Sequence, residues 1–176
     1  MRSDTAPEVS TALLDSEQPH DELPAAATSA APRRALIGCG SLLTRLVGAV
    51  AVIVTGGVHL QAYSGPYGAV PTIGVLFLVN FAAAMAIGVS LLSPLEHLAG
   101  RRGSAAVVLV TAAGIGLAAV SLAMLIISEH GTLLGFHEPG YDPTAISRSR
   151  LAEIVAIALL TASLALRALA RRRPRW

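Results

Sequence analysis

The chain has 176 residues, of which 53% are hydrophobic and 14% charged, against roughly 25% charged in a typical soluble domain; its mean hydropathy is +0.64. This balance excludes an ordinary soluble domain, and the pI near 9.2 does not point to nucleic acid, because the arginines flank apolar runs instead of forming a folded basic face. The single cysteine, Cys39, excludes an intramolecular disulfide framework.

Residues 1–34 come first. Six of the eleven acids (Asp4, Glu8, Asp15, Glu17, Asp21 and Glu22) lie here among Ala, Pro, Ser and Thr. Such a segment holds too little large apolar surface to offset its ordering entropy, so it is expected to be a disordered, acidic, Ala/Pro-rich cytoplasmic tail. The stretch LIGC, ending at Cys39, matches the short pattern of a lipoprotein cleavage site. No apolar stretch precedes it, though, and a signal peptide requires one. Arg33 and Arg34 therefore read as a basic stop before the first membrane helix.

A helix crossing a hydrocarbon core of about 30 Å needs about 20 apolar residues. Four segments meet that requirement, at about 41–63, 71–93, 105–128 and 151–169. Together they form a four-helix transmembrane domain over 35–170, followed by a basic cytoplasmic tail at 171–176. In span one, Arg45 is expected to snorkel to the headgroups. Pro71 suits the first turn of span two, and Ser104 is a plausible N-cap for span three. The expected fold is an all-α integral membrane bundle with the lipid bilayer as its principal partner. Small residues at Ala112, Gly116, Ala119 and Ala123 allow close helix approach. They are expected to pack inside the bundle, with a homo-oligomer or membrane-complex interface as the alternative.

Arginine sets the expected orientation. Arg33, Arg34 and Arg45 precede or enter span one, Arg101 and Arg102 lie between spans two and three, and Arg171, Arg172 and Arg173 follow span four. The connection at 64–70 carries no charge. The positive-inside rule then places both termini in the cytoplasm of a multi-pass protein of the bacterial plasma membrane.

Polar groups concentrate toward the opposite, outer side. His59 stands about 6 Å below the outer end of span one, at 1.5 Å per residue, with Tyr63 a turn further on the same face. The long connection at 129–150 adds Glu129, His130, His137, Glu138 and Asp142, and Glu153 is expected in the first turn of span four. The apolar LLGF of this connection could cover the bundle mouth, and Gly131, Gly135 and Gly140 permit bends. Three readings follow. His59 hydrogen-bonds a carboxylate, Glu153 or Glu138, and locks the loop to the bundle. Alternatively, His59, His130 and His137 with Glu138 hold a divalent metal or a haem, although no HxxxH, HExxH or CxxC spacing is present. In the third, His59 and Glu153 titrate during proton-coupled transport. No nucleophile–base pairing suggests an enzyme. Asn80, near the midplane of span two, is expected to hydrogen-bond a neighbouring helix, with Thr55, Thr111 and Ser121 as candidate partners, or to line a polar path. Glu96 and His97 read as a solvated ion pair.

The segments GGVHLQAY, PTIGVLFLVN and TLLGFHEPG resemble a group of small, uncharacterised four-helix membrane proteins of actinobacteria. The resemblance covers roughly residues 48–160 and is carried by His59, Tyr63, Pro71, Gly74, Phe77, Asn80, Gly135, Phe136 and Glu138. It implies a four-span membrane fold and no particular activity.

Overall fold

The computed structural model describes residues 25–138, 140 and 142–171, with the side chains of 25–34, 95–99 and 101 left undescribed. Among these residues, helix α1 covers Ala25–Ser64, α2 Pro71–Leu92, α3 Leu95–His130 and α4 Pro143–Arg171, with a short 3-10 turn at Pro66–Ala69 between the first two. All four helices contain a stretch long and apolar enough to cross a membrane. The chain is therefore an all-α, four-helix, polytopic membrane protein with four candidate spans.

The helices form a ring. α1 packs on α2 and α4, and α3 packs on the same two, while α1 and α3 barely meet across the diagonal. The turn after α1 and the α3–α4 connection lie at one end, here the loop end; the α2–α3 junction lies at the other, here the arginine end. The core consists of small residues around a few large ones: Ala49, Val52, Ala84, Ala118 and Ala156 surround Leu91 and Leu160. Close approach depends on missing side chains. A Cβ at Gly114 would fall 2.9 Å from Leu160, and one at Gly88 would collide with Ile53. Outside this core, Val50, Val54, Val75, Val79, Leu109 and Ile154 are about half exposed or more. Large apolar side chains in mid-helix around the whole circumference suit lipid and not water.

Several boundaries differ from the sequence expectation. α1 starts at Ala25, ahead of the expected start of the membrane domain at 35, and the alanine-rich stretch there has high helix propensity. Residues 1–24, to which the rest of the tail reading applies, lie outside the described residues. α4 starts at Pro143, so Arg148 and Arg150 are helical and the third connection shortens to 131–142. The cause is local: Asp142 caps the helix, its Oδ1 accepting from the Ala145 N–H at 2.9 Å, and Pro143 fills the first position, where a missing N–H costs nothing. α3 is broken at Gly100, whose φ of 50° and ψ of −124° are not helical.

The arginine end also departs from expectation. Arg45 is buried at 6% exposure and does not reach outward. It stands one turn beyond Ser41, in the α1–α4 seam where Ser41 and Ser163 exchange hydroxyl-to-carbonyl hydrogen bonds of 3.3 and 2.9 Å. Ser104 is no N-cap; its Oγ accepts from Arg167 at 3.3 Å and from Arg171, tying α3 to α4. Arg102 is exposed. The side chains of Arg33, Arg34, Glu96, His97 and Arg101, and the residues Arg172 and Arg173, lie outside what the structure describes. The small-residue stripe of α3 faces outward: Ala112, Gly116, Ala119 and Ala123 are all exposed, while Thr111, Gly114, Ala118 and Ser121 turn inward. An alanine-rich helix carries small residues on more than one face, and spacing alone does not select between them.

Candidate functional site

The last turns of α1 place His59 inside the ring, 7% exposed. Its Nδ1 lies 2.8 Å from the Thr55 carbonyl oxygen. A carbonyl only accepts, so Nδ1 bears a proton and donates it. On the other side of the ring, Nε2 lies 3.0 Å from Ser121 Oγ on α3. The same hydroxyl lies 2.6 Å from Glu153 Oε1 on α4, and Ser149 Oγ donates to that oxygen at 3.1 Å. His59 Nε2 and Glu153 Oε1 are 3.9 Å apart, so Ser121 bridges the pair.

Proton counting limits what this chain can be. Ser121 has one hydroxyl proton and lies between two groups that each accept when deprotonated. If it donates to Glu153, His59 Nε2 must donate to Ser121, and the imidazole is doubly protonated. If it donates to His59, Glu153 must be the protonated donor. One excess proton therefore satisfies every contact from either end, and a shift through the Ser121 hydroxyl exchanges the two arrangements. Glu153 is 0% exposed, and its second oxygen, Oε2, has no hydrogen-bond partner among the described residues.

Glu153 lies ten residues into α4, about 15 Å from its start at 1.5 Å per residue, and not in the first turn as expected. His59 and Ser121 likewise precede the ends of their helices by about 8 and 14 Å. The site thus sits inside the bundle, with His59, Ser121 and Glu153 meeting at one level of the ring.

These groups border a cavity of about 230 Å³ at the loop end. Its walls are mostly apolar side chains of all four helices. The polar residues on the wall include His59, Asn80, Ser121, Ser149, Glu138 and Glu153. A ladder of rings closes the upper side. Phe77 meets His59 edge-on at 5.3 Å and Tyr67 at 5.4 Å, and Tyr67 meets Phe136 at 6.1 Å. Tyr67 reaches this position because the 3-10 turn folds back over α1; Gly68 passes so near the Tyr63 carbonyl that a Cβ there would collide with it. Burial pushes the Tyr67 phenol above its ordinary range, and the Glu138 carboxylate beside it adds to the shift.

The α3–α4 connection forms the cover. Leu133 and Phe136 exchange backbone hydrogen bonds of 2.7 and 2.9 Å, leaving Leu134 and Gly135 as a two-residue turn with φ of 51° and 83°. Positive φ at both central positions defines the hairpin turn that favours glycine. Leu133 and Phe136 thereby face the cavity while Leu134 is 64% exposed. Glu138 fastens the loop: its N–H donates to the Ser128 carbonyl at 2.8 Å, and its Oε1 accepts from the Gly140 N–H at 2.8 Å. On the surface, Arg150 grips both oxygens of Glu129 at 2.7 and 2.5 Å.

The structure brings together His59, Glu138 and Glu153 around one cavity, but the expected hydrogen bond from His59 to a carboxylate is replaced by a bridge: Ser121 links it to Glu153 across 3.9 Å. The expected metal quartet does not assemble. His130 and His137 are exposed and their Nδ1 atoms bond the Ile126 and Gly131 carbonyls at 2.9 and 2.7 Å. Among the described residues no group of three His, Cys, Asp or Glu side chains converges to hold a metal. Both ring nitrogens of His59 are already engaged, so neither offers a free lone pair to a metal or haem iron. Tyr63 is exposed and lies outside the cavity; Tyr67 takes the place expected for it. Asn80 bonds none of its candidate partners. Thr55 and Thr111 bond their own helix at 3.0 and 2.6 Å, and Asn80 Oδ1 has no partner among the described residues. Instead it lines the cavity. Ser121, Ser149, Tyr67 and Phe77 were not assigned to the site from sequence; a serine in an apolar helix gives no signal of which face it occupies. Comparison with protein-family models, with curated proteins and with solved structures gave no match to this chain, so the fold and this cavity are the whole basis for a functional reading.

Proposed function

We propose that the protein is a non-enzymatic component of the bacterial plasma membrane, threaded with both termini in the cytoplasm. In this reading its cavity lies on the outer side and binds a small, largely apolar molecule dissolved in the membrane. The observation that carries the reading is the form of the cavity. Its walls are apolar and its floor is a buried polar chain, a common combination in small-molecule sites. Its rim between α2 and α3 is formed in part by Val79 and Val120, which are 59% and 57% exposed, so it opens sideways toward the lipid. The volume of about 230 Å³ is below the roughly 300–1,000 Å³ of drug-sized sites, which favours a small guest.

The test is calorimetric titration of 4-phenylbutanol into the full chain in lipid nanodiscs, against empty nanodiscs. Saturable binding at one site per chain is expected, and Val120→Trp, which places an indole across the opening, should abolish it. Binding no greater than in empty nanodiscs contradicts the reading.

The Ser121 bridge favours a second reading, a proton-coupled carrier, because it links two titratable groups facing one cavity. In that case a pH gradient across proteoliposomes drives uptake of the guest, and Glu153→Gln stops the coupling while leaving binding of a neutral guest intact. Gradient-independent uptake contradicts it.

A further inference from the structure

The wall of the cavity also specifies the polar group of its guest. This step rests on the binding reading above and names the class of ligand. The ionisable side chains on the wall are already accompanied. His59 and Glu153 share one proton through Ser121, so they are either both neutral or an imidazolium and a carboxylate that offset each other. Glu138 accepts from the Gly140 N–H at 2.8 Å and stands beside the Tyr67 phenol. An ion entering this mostly apolar enclosure would shed its hydration without gaining a free counter-charge, and that is costly. These observations favour a neutral guest.

Neutrality does not remove the demand for a hydrogen bond. Glu153 is 0% exposed, and its Oε2, on a residue of the cavity wall, has no hydrogen-bond partner among the described residues. In both proton arrangements of the chain the contact to Ser121 uses Oε1, so Oε2 carries no proton and only accepts. Its need for a donor is the same whichever end of the chain holds the proton. Asn80 Oδ1 is a second buried acceptor without a partner among the described residues, while the Asn80 amide N–H groups and the Tyr67 hydroxyl are donors on the same wall. A wall of this mixed kind fits a group that donates and accepts at once. A hydroxyl does both, so it can displace a water and reproduce its hydrogen bonds; an ether, a ketone or a halide has no proton for Oε2. We propose that the cavity takes a neutral lipophilic alcohol or phenol, whose hydroxyl donates to Glu153 Oε2 and whose apolar body lies against Leu133 and Phe136. The hydroxyl oxygen is then left to accept from a donor on the wall.

The experiment compares four probes with one apolar body: 4-phenylbutanol, 4-phenylbutyl fluoride, 4-phenylbutylamine and 4-phenylbutyrate. Each is titrated into the full chain in phosphatidylcholine nanodiscs, with empty nanodiscs as the reference for partition. The fluoride keeps the size of the alcohol and lacks its donor, so one neutral hydrogen bond predicts about three- to tenfold tighter binding of the alcohol. Neither ion should bind more tightly than the alcohol. Glu153→Gln keeps an acceptor, its N–H replacing the proton on Oε1 and its oxygen replacing Oε2, and should largely retain the preference for the alcohol. Glu153→Leu removes the acceptor and should bring the alcohol down to the affinity of the fluoride. If the leucine variant does not fold, the wild-type series and Glu153→Gln still decide. Equal affinity for alcohol and fluoride overturns the hydroxyl assignment and leaves the cavity reading in place. Tighter binding of the amine or the carboxylate, or loss of the alcohol preference in Glu153→Gln, shows that charge is read and overturns the neutral assignment. Binding of none of the four overturns the cavity reading as well.

Discussion

Ser121 is the residue on which the site turns, since its single hydroxyl holds His59 and Glu153 in register from a third helix. Replacing it with alanine leaves His59 Nε2 without a partner and removes the 2.6 Å contact to Glu153 Oε1. The expected loss is about 1–3 kcal/mol, the usual cost of an unsatisfied buried polar group, read as a lower thermal midpoint in detergent. Ser149→Ala should cost less, because its 3.1 Å bond is longer and Oε1 keeps Ser121. Equal effects would place the strain elsewhere. Tyr67 supplies a pH prediction. Its phenol is held neutral by burial and by Glu138, so its folded-state pKa is raised above the unfolded value of about 10. The stability linked to it is fully present below that value and declines as pH rises through the alkaline range toward the folded pKa. Tyr67→Phe should flatten the alkaline loss of stability, measured by thermal melts across that range; an unchanged slope would contradict the assignment. The sequence showed His59 and Glu153 as candidates because an ionisable group in an apolar run is conspicuous. It did not show Ser121 or Tyr67: serine is common in membrane helices, and Tyr67 enters the site only through the fold-back of the turn after α1.

The helices differ in how openly the sequence declares their limits. Pro71 at the start of α2 and Ser93–Pro94 at its end are plain signals, and the element agrees with them within a residue. Asp142–Pro143 is an equally plain start for α4, yet the hydropathy rise at Leu151 draws attention further along the chain, and Glu153 is then placed in the first turn of the helix instead of ten residues into it. Hydropathy marks where lipid begins, whereas capping marks where the helix begins, and the two differ by more than two turns here. The inward face of α3 is a second case. Gly114 meets Leu160 at the centre of the ring, so Gly114→Leu should overpack the core by about 1–3 kcal/mol, while Gly116→Leu, on an open face with nothing within 4 Å, should leave the melting temperature nearly unchanged. If the second substitution is the more harmful one, the outward stripe has a partner.

At the scale of the whole molecule, the four candidate spans follow from composition alone, because long apolar helices with half-exposed valines and leucines on every side have no stable arrangement in water. The charge pattern adds direction. Arginines gather at the end with the α2–α3 junction and both outer helix termini, and the cavity with its acidic wall lies at the other end. The binding reading depends on that polarity, since a cavity open to the outer leaflet meets different molecules from one open to the cytoplasm. Labelling in intact cells with a membrane-impermeant maleimide tests it most directly, in a Cys39→Ser background carrying either Ser64→Cys or Leu169→Cys. The account predicts that Ser64→Cys reacts from outside and that Leu169→Cys reacts only after permeabilisation. Labelling of both from the same side, or recovery of the chain in the soluble fraction without detergent, would contradict it.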